Sequence, residues 1–470
     1  MLTYSLKSQL KIPLYEQLYR AIKNDIITGL LPRDSKLPSK RSLASHLGIS
    51  VVTVESSYQQ LKAEGFIYSK AKRGFFVSYI RPHVTENKQS IRLISSEKVR
   101  SDTSMSLLNL SNNKTNPETF PFSIWSKLLR QVLNEFQEEI VHPSPSQGIL
   151  PLREAIAKHL NQHRGMSVDP EQIIIGAGTE FLYILLIQLL GLDKTIALEE
   201  PSYPKMVKIY QQFAINQVHI PMENDGINTA LLRETQADIV HISPSHQFPT
   251  GKILSISKRY DLLSWASLSD KHYIIEDDYD SEFCFFGLPI PSLQEIDSSE
   301  KVIYINTFNK SLASTLRISY MILPPHLLNI FQKKLSFYAN TVSNLEQYTL
   351  ASFMNQGYFD KHLNRMRIYY QKKRDELILA FRKSSFKDYI QIHEESAGLH
   401  FILSIKAKMS EEKLCRLLNE KGLNITPLSH YYINPEQHQN KKFIINYANI
   451  SSCDISEIVI TLAEIINFHD

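Results

Sequence analysis

The stretch Thr307-Phe308-Asn309-Lys310-Ser311-Leu312-Ala313-Ser314-Thr315-Leu316-Arg317 decides how the chain is read. A lysine stands among small polar residues, seven positions before an arginine and just after the strand-like run Val302-Ile303-Tyr304-Ile305. A lysine ammonium stripped of part of its water beside another cation becomes a usable amine, able to form a Schiff base with an aldehyde. An arginine close by can hold a phosphate through two parallel hydrogen bonds. An aldehyde and a phosphate on one small molecule describe pyridoxal phosphate. On this fragment alone the competing reading is a solvated lysine and a surface ion pair.

Upstream, Tyr273-Ile274-Ile275-Glu276-Asp277-Asp278-Tyr279-Asp280 has the pattern of a buried strand ending in carboxylates. In open α/β sheets ligands bind beyond the carboxyl ends of the strands. A carboxylate there can pair with the protonated pyridine nitrogen and keep the ring an electron sink. A phenol two residues on can reach the ring's 3-oxygen. The competing reading is a calcium-like acidic cluster, against which stand the hydrophobic run before Asp277 and the lack of an EF-type loop. Further upstream, Ile173-Ile174-Ile175-Gly176-Ala177-Gly178-Thr179-Glu180 reads as a buried strand, a glycine turn and a helix start. Amides at such a helix start form a phosphate site, with Gly178 in the turn and Thr179 offering a hydroxyl. The third glycine of a dinucleotide fingerprint is missing.

Glu276-Asp277-Asp278-Tyr279 and Thr307 to Arg317 together resemble the cofactor site of fold-type I aminotransferases. The strings Asp277-Asp278-Tyr279-Asp280-Ser281-Glu282-Phe283 and Arg317-Ile318-Ser319-Tyr320-Met321 resemble the MocR-type branch of the GntR transcription regulators. In that branch an aminotransferase-like domain follows a DNA-binding domain, and the resemblance covers nearly the whole chain. It implies an α+β winged helix-turn-helix domain, then an α/β pyridoxal-phosphate-dependent transferase body of fold type I, with large and small lobes. It also implies roles. Lys310 forms the aldimine, Asp277 pairs with the pyridine nitrogen and Tyr279 holds the 3-oxygen. Arg317, Thr179 and Thr307 hold the phosphate.

In resembling proteins a tyrosine in the place of Tyr203 borders the ring. Ser243-Pro244-Ser245-His246-Gln247-Phe248-Pro249-Thr250-Gly251 resembles the Asn-Pro-x-Gly-type loop of aminotransferases, so either His246 or Gln247 reaches the ring. Asn309 stands where many relatives have serine. The GABA-responsive member has arginines where this chain has Lys205 and His430, which makes these two the expected effector contacts. A histidine is neutral for much of the time near pH 7 and cannot form the bidentate fork, so a different effector is expected. The resemblance further implies a head-to-tail, domain-swapped homodimer.

At 470 residues the chain is too long for one ordinary core and suggests two or three domains. Hydrophobic residues at 43% and charged residues at 21% are the proportions of a soluble globular protein. The net charge of +4 hides an asymmetry. Residues 1–81 carry thirteen Lys and Arg against five Asp and Glu, whereas the remainder carries 39 against 43. A front end of +8 on a body of −4 is the footprint of a polyanion-binding module. Cys284, Cys415 and Cys453 form no CxxC pair and are odd in number, so neither a disulfide framework nor a metal site is expected. That fits a reducing cytoplasm. No signal peptide is expected, and the most apolar run, Phe181 to Leu192, is too short for a bilayer and is interrupted by Gln188.

The basic front end has its own pattern. Leu14, Leu18, Ile22 and Ile26 recur every four residues, as on one face of a helix. Ser39 can cap a short helix that Gly48 ends, and Ser50 a second that Gly65 closes. Phe66-Ile67-Tyr68 and Phe75-Phe76-Val77, joined through Lys70, Lys72, Arg73 and Gly74, predict a β-hairpin. Three helices and such a hairpin make a winged helix-turn-helix, whose second motif helix enters the major groove of double-stranded DNA. The expected contacts are Lys40, Arg41 and Thr53, with Lys70, Lys72 and Arg73 on the wing. Leu37-Pro38-Ser39-Lys40-Arg41 and Tyr58-Gln59-Gln60-Leu61-Lys62-Ala63-Glu64-Gly65 resemble GntR-type readers, although Val51 stands where these usually have arginine.

The boundaries drawn from these patterns are a DNA-binding domain over 1–79, a polar connector over 80–105 and an effector body over 106–470. Three functions follow. The body binds pyridoxal phosphate and an amine-bearing effector that shifts the DNA-binding domains, or it senses pyridoxal phosphate itself. The third is a working aminotransferase localised by its front end, with Lys310 also shuttling a proton. The basic front end favours the first two.

Overall fold

The computed structural model describes residues 2–4, 6, 12–79, 108–110, 116–285, 291–394 and 398–467, so the connector expected over 80–105 lies outside the described residues. The chain divides into two compact units, residues 1–102 and 103–470.

In the first unit, helices α1 (Leu14–Ile27), α2 (Lys40–Leu47) and α3 (Val51–Ala63) precede a hairpin of β1 (Ile67–Lys70) and β2 (Gly74–Val77). The period-four residues Leu18, Ile22 and Ile26 are buried with Leu43, Val54, Tyr58 and Leu61, and Ile67 and Val77 of the hairpin close this core. Each such aliphatic side chain contributes roughly 1.5–3 kcal/mol by leaving water. The helix starts follow from their caps. Ser39 Oγ accepts from the Ser42 amide at 3.2 Å, and Ser50 Oγ from the Thr53 amide at 3.1 Å. Gly48 ends α2 at φ 65°, a left-handed value that glycine adopts without steric cost. The antiparallel register sets Ile67 opposite Val77 and Lys70 opposite Gly74, which leaves the basic residues at the tip. This is a winged helix-turn-helix.

The second unit begins with β3 (Leu108–Asn109) and builds a mixed eight-stranded sheet. Its strands are β4 (Ile173–Gly176), β5 (Thr195–Glu200), β6 (Asn216–Glu223), β7 (Gly226–Ile227), β8 (Ile239–Ile242), β9 (Tyr273–Asp277), β10 (Val302–Thr307) and β11 (Ser319–Ile322). The spatial order is β4-β11-β10-β9-β8-β5-β6-β7. Pairing is parallel from β10 through β9, β8 and β5 to β6, and antiparallel where β11 lies between β4 and β10. Strands buried on both faces read as the unbroken apolar runs seen in the sequence, because helices cover both sides. Helices 150–164 and 344–355 pack on one face, and helices 179–190 and 325–334 on the other.

A smaller lobe carries β12 (Ile390–His393), β13 (His400–Ile405), β14 (Leu423–Asn424), β15 (Thr426–Pro427) and β16 (Lys442–Asn446). Four of these form an antiparallel sheet in the order β12-β13-β16-β15, while β14 pairs in parallel with β3. The 26-residue helix Tyr358–Lys383 joins the lobes. Its first two turns put Phe359 and Leu363 in the core of the large lobe, and Met366, Tyr370, Leu377 and Phe381 lie in the core of the small one. Among the described residues no helix is long and apolar enough to cross a membrane.

Candidate functional site

The carboxyl ends of β4, β5, β8, β9 and β10 open on one cleft of about 320 Å³, within the range of small-molecule sites. Lys310, Asp277, Tyr279, Thr179, Thr307, Tyr203, Lys205 and Arg317 all line it. Strand β10 ends at Thr307, so the following turn carries Lys310 over the sheet edge. Lys310 is half-buried, and burial brings its ammonium down to about pKa 8, with the Asp280 charge working in the opposite direction.

Asp277, the last residue of β9, is buried. The Tyr183 hydroxyl donates to its Oδ2, and His241 Nε2 lies 3.7 Å from the same oxygen. Its Oδ1 is buried without a hydrogen-bond partner among the described residues. A buried carboxylate oxygen left unpaired is costly unless a donor arrives. Tyr279 stands beside it, its hydroxyl 3.2 Å from His246 Nδ1. Burial, then the charges of Asp280 and Asp277, keep this phenol protonated well above its ordinary range.

The anion end is built by the turn into helix Thr179–Leu190. Gly178 caps it at φ 91°, and a Cβ there would lie 2.5 Å from Arg317 Nη2, so only glycine lets the guanidinium lie against the helix start. Arg317 itself is exposed, with φ 56°. It is ion-paired with Glu180, whose other oxygen accepts from Lys205 Nζ at 2.6 Å. Burial pushes the Glu180 carboxyl up, but the hydrogen bonds from Arg317 and Lys205 outweigh it and hold it below the usual range. Thr307 Oγ1 accepts from the Asn309 amide at 3.2 Å and from Ser319 Oγ at 2.8 Å. Asn309 Oδ1 is buried without a hydrogen-bond partner among the described residues.

Pyridoxal phosphate is complementary to this set. Asp277 Oδ1 is free for a ring N–H, Lys310 is poised for an aldehyde, and a cation meets a helix start where a phosphate would lie.

Three of the expected residues fall outside the cleft lining: Gly178, which lies at the helix start just before Thr179, and His246 and His430. His246 is buried behind Tyr279, with Nδ1 2.9 Å from Asp280 Oδ2. Of the two candidates in that loop Gln247 reaches the wall, but its amide is spent on the loop, donating to the Pro201 and Phe248 carbonyls and accepting from Thr250. His430 is exposed, because the 3-10 turn Leu428–Tyr431 buries Leu428 and Ser429. Tyr431 instead meets Phe248 edge-on, with ring centroids 5.3 Å apart. Sequence reasoning missed Tyr183, His241, Glu180 and Glu199. Tyr183 could have been found, since it lies one helical turn after Thr179 on the same face. His241 could have been found too, as the polar residue within the apolar run Ile239–Ile242.

In the first unit, Arg41, Lys70, Lys72 and Arg73 are exposed. Lys40 is ion-paired with Glu55 of α3, and the half-buried Thr53 shares its hydroxyl with Ser50 Oγ at 2.8 Å.

A winged helix-turn-helix and a fold-type I aminotransferase-like unit on one chain define a class of DNA-binding regulator. Residues 106–462 match the family described as aminotransferase class I and II, and residues 14–77 match the bacterial regulatory proteins of the gntR family. The chain is 38% identical, over 97% of its length and 97% of the relative's, to the uncharacterized HTH-type transcriptional regulator YdeL of Bacillus subtilis. It is 31% identical to the probable rhizopine catabolism regulatory protein MocR of Rhizobium meliloti, over 93% and 91% of the two chains. Its fold is shared with an archaeal alanine:glyoxylate aminotransferase at a TM-score of 0.69 and 23% identity, covering 78% of this chain and 92% of that one. The chain belongs to the MocR-type branch of the GntR family of transcription regulators.

Proposed function

We propose that this regulator binds pyridoxal phosphate in the Lys310 cleft and that occupancy of the cleft, by the cofactor alone or with an amine-bearing effector, sets its affinity for operator DNA. The observation that carries this is one cleft lined by both a half-buried lysine, Lys310, and the carboxylate of Asp277, whose buried Oδ1 has no hydrogen-bond partner among the described residues. When bound, the cofactor supplies an aldehyde that condenses with primary amines and a pyridine ring that withdraws electrons.

The chain's residues do the rest. Lys310 would hold the cofactor's aldehyde through its amine. Asp277 accepts the ring N–H, held in place by Tyr183. Tyr279, braced by His246, donates to the ring oxygen. Arg317, Gly178, Thr179 and Thr307 hold the phosphate, and Tyr203 borders the ring. Lys205, ion-paired with Glu180 in the cleft wall, is the group offered to an acidic effector, while His430 is exposed outside the cleft lining. Residues 1–79 read DNA through Arg41, Lys70, Lys72 and Arg73, with Lys40 and Thr53 ordering the start of the recognition helix. Residues 106–470 form the sensing body of a homodimer.

The test is Lys310→Ala in the full chain, read by absorbance and circular dichroism. The visible band of the loaded protein is expected to vanish while the fold is kept, and DNA binding is expected to stop responding to the cofactor. A retained band refutes the assignment of Lys310.

A further inference from the structure

His159 and His163 stand four residues apart on helix Leu150–Arg164, so their rings leave the same face, with centroids 4.5 Å apart. Asp360, in the first turn of helix Tyr358–Lys383, is set against both. Its Oδ1 lies 3.4 Å from His159 Nδ1 and 3.0 Å from His163 Nε2. One ligand atom from each residue lies within 4.8 Å of the others. An ion with tetrahedral bonds of ~2.0–2.2 Å to nitrogen and oxygen keeps its ligand atoms roughly 3.3 Å apart. The two separations from Asp360 Oδ1 match that spacing before any ion arrives.

We infer that His159, His163 and Asp360 form a binding site for a divalent transition ion of the zinc type, with water completing the coordination. Two imidazoles and one carboxylate select such an ion over magnesium or calcium, which take oxygen ligands. The residues are preplaced by packing. His159 rests edge-on against Phe359, a core residue next to Asp360, at 5.0 Å between centroids. A cleft beside His159 and Asp360, of about 210 Å³, gives water access. Of the neighbouring cations, Arg367 donates to the Glu282 carbonyl and to Asn364 Oδ1, and Lys158 is exposed, where its charge is screened.

None of the three residues lines the Lys310 cleft. The ion therefore acts on the helices it ties, and one of these is the helix shared by the cores of both lobes. The expectation of no metal site rested on cysteine spacing, which says nothing about a histidine pair completed by a distant carboxylate.

The test is calorimetric titration of Zn²⁺ into the full-length, cofactor-loaded protein after chelator treatment, with melting temperature as the second readout. One equivalent is expected to bind at micromolar or lower Kd and to raise Tm. His163→Ala, at an exposed position, is expected to weaken binding by at least ~100-fold and to remove the Tm shift. Asp360→Asn keeps the side-chain shape and is expected to act in the same direction. Identical isotherms for wild type and both variants, or binding that needs millimolar Zn²⁺, overturn the proposal.

Discussion

Glu199 shows what a single buried carboxyl does to this molecule. It is 5% exposed at the back of the cleft, and its Oε2 accepts from the Ser243 amide at 3.1 Å. Burial nevertheless pushes its pKa up to about 8, so near neutrality it is largely protonated. In the unfolded chain it ionises near 4.3. The folded state binds the extra proton between these values, so stability is lost as pH rises from the lower to the higher. Glu199→Gln keeps the acceptor and cannot ionise. It is expected to melt like wild type at pH 5 and to be more stable at pH 9, by on the order of 2–4 kcal/mol, in urea denaturation followed at both pH values. Arg317 makes the opposite point about cost. A non-glycine residue at φ 56° stores on the order of 1 kcal/mol of strain. That strain holds the guanidinium beside Gly178 and Thr179.

At the scale of elements, close packing against glycine positions the phenol of Tyr279. Gly398, at φ 72°, faces the imidazole of His246, and a Cβ there would lie 1.9 Å from its Cε1. Gly398→Ala is therefore expected to push His246 off Tyr279 and to weaken cofactor affinity ~10-fold or more with Lys310 untouched, as measured by absorbance titration. Unchanged affinity would separate the small lobe from the ring site. The elements themselves were largely legible because their signals are local. Ser39, Ser50 and Gly48 announce helix ends within a few residues, and the apolar runs before Asp277 and Thr307 announce strands whose ends place Asp277 and Lys310 in the cleft. The contacts of Glu180 with Arg317, of His241 with Asp277 and of Asp360 with His159 were not legible. Each joins residues distant in sequence, and only the packed sheet and helices decide which ones meet. His430 illustrates the same limit, since one residue of rotation in a short turn decides whether a side chain faces the cleft.

At the scale of the whole molecule, charge is divided between the ends of the chain, with the excess of Lys and Arg confined to residues 1–81. Binding to DNA through phosphates releases counterions, so log K falls with log salt in proportion to the phosphates neutralised. Replacing Lys70, Lys72 and Arg73 together by alanine is expected to weaken operator and random DNA alike and to lower the salt slope by roughly two to three, in filter binding across a salt series. Removing residues 1–79 is expected to abolish DNA retardation and to leave the cofactor band in place. Within the body, helix Tyr358–Lys383 is rooted in one core and spends most of its length in the other. At 1.5 Å per residue it is about 39 Å long, so a pivot of ten degrees at its rooted turn swings the far end by ~7 Å. The helix is a lever arm whose fulcrum lies next to Asp360, and a small tilt there becomes a large displacement at its Lys383 end, within the small lobe.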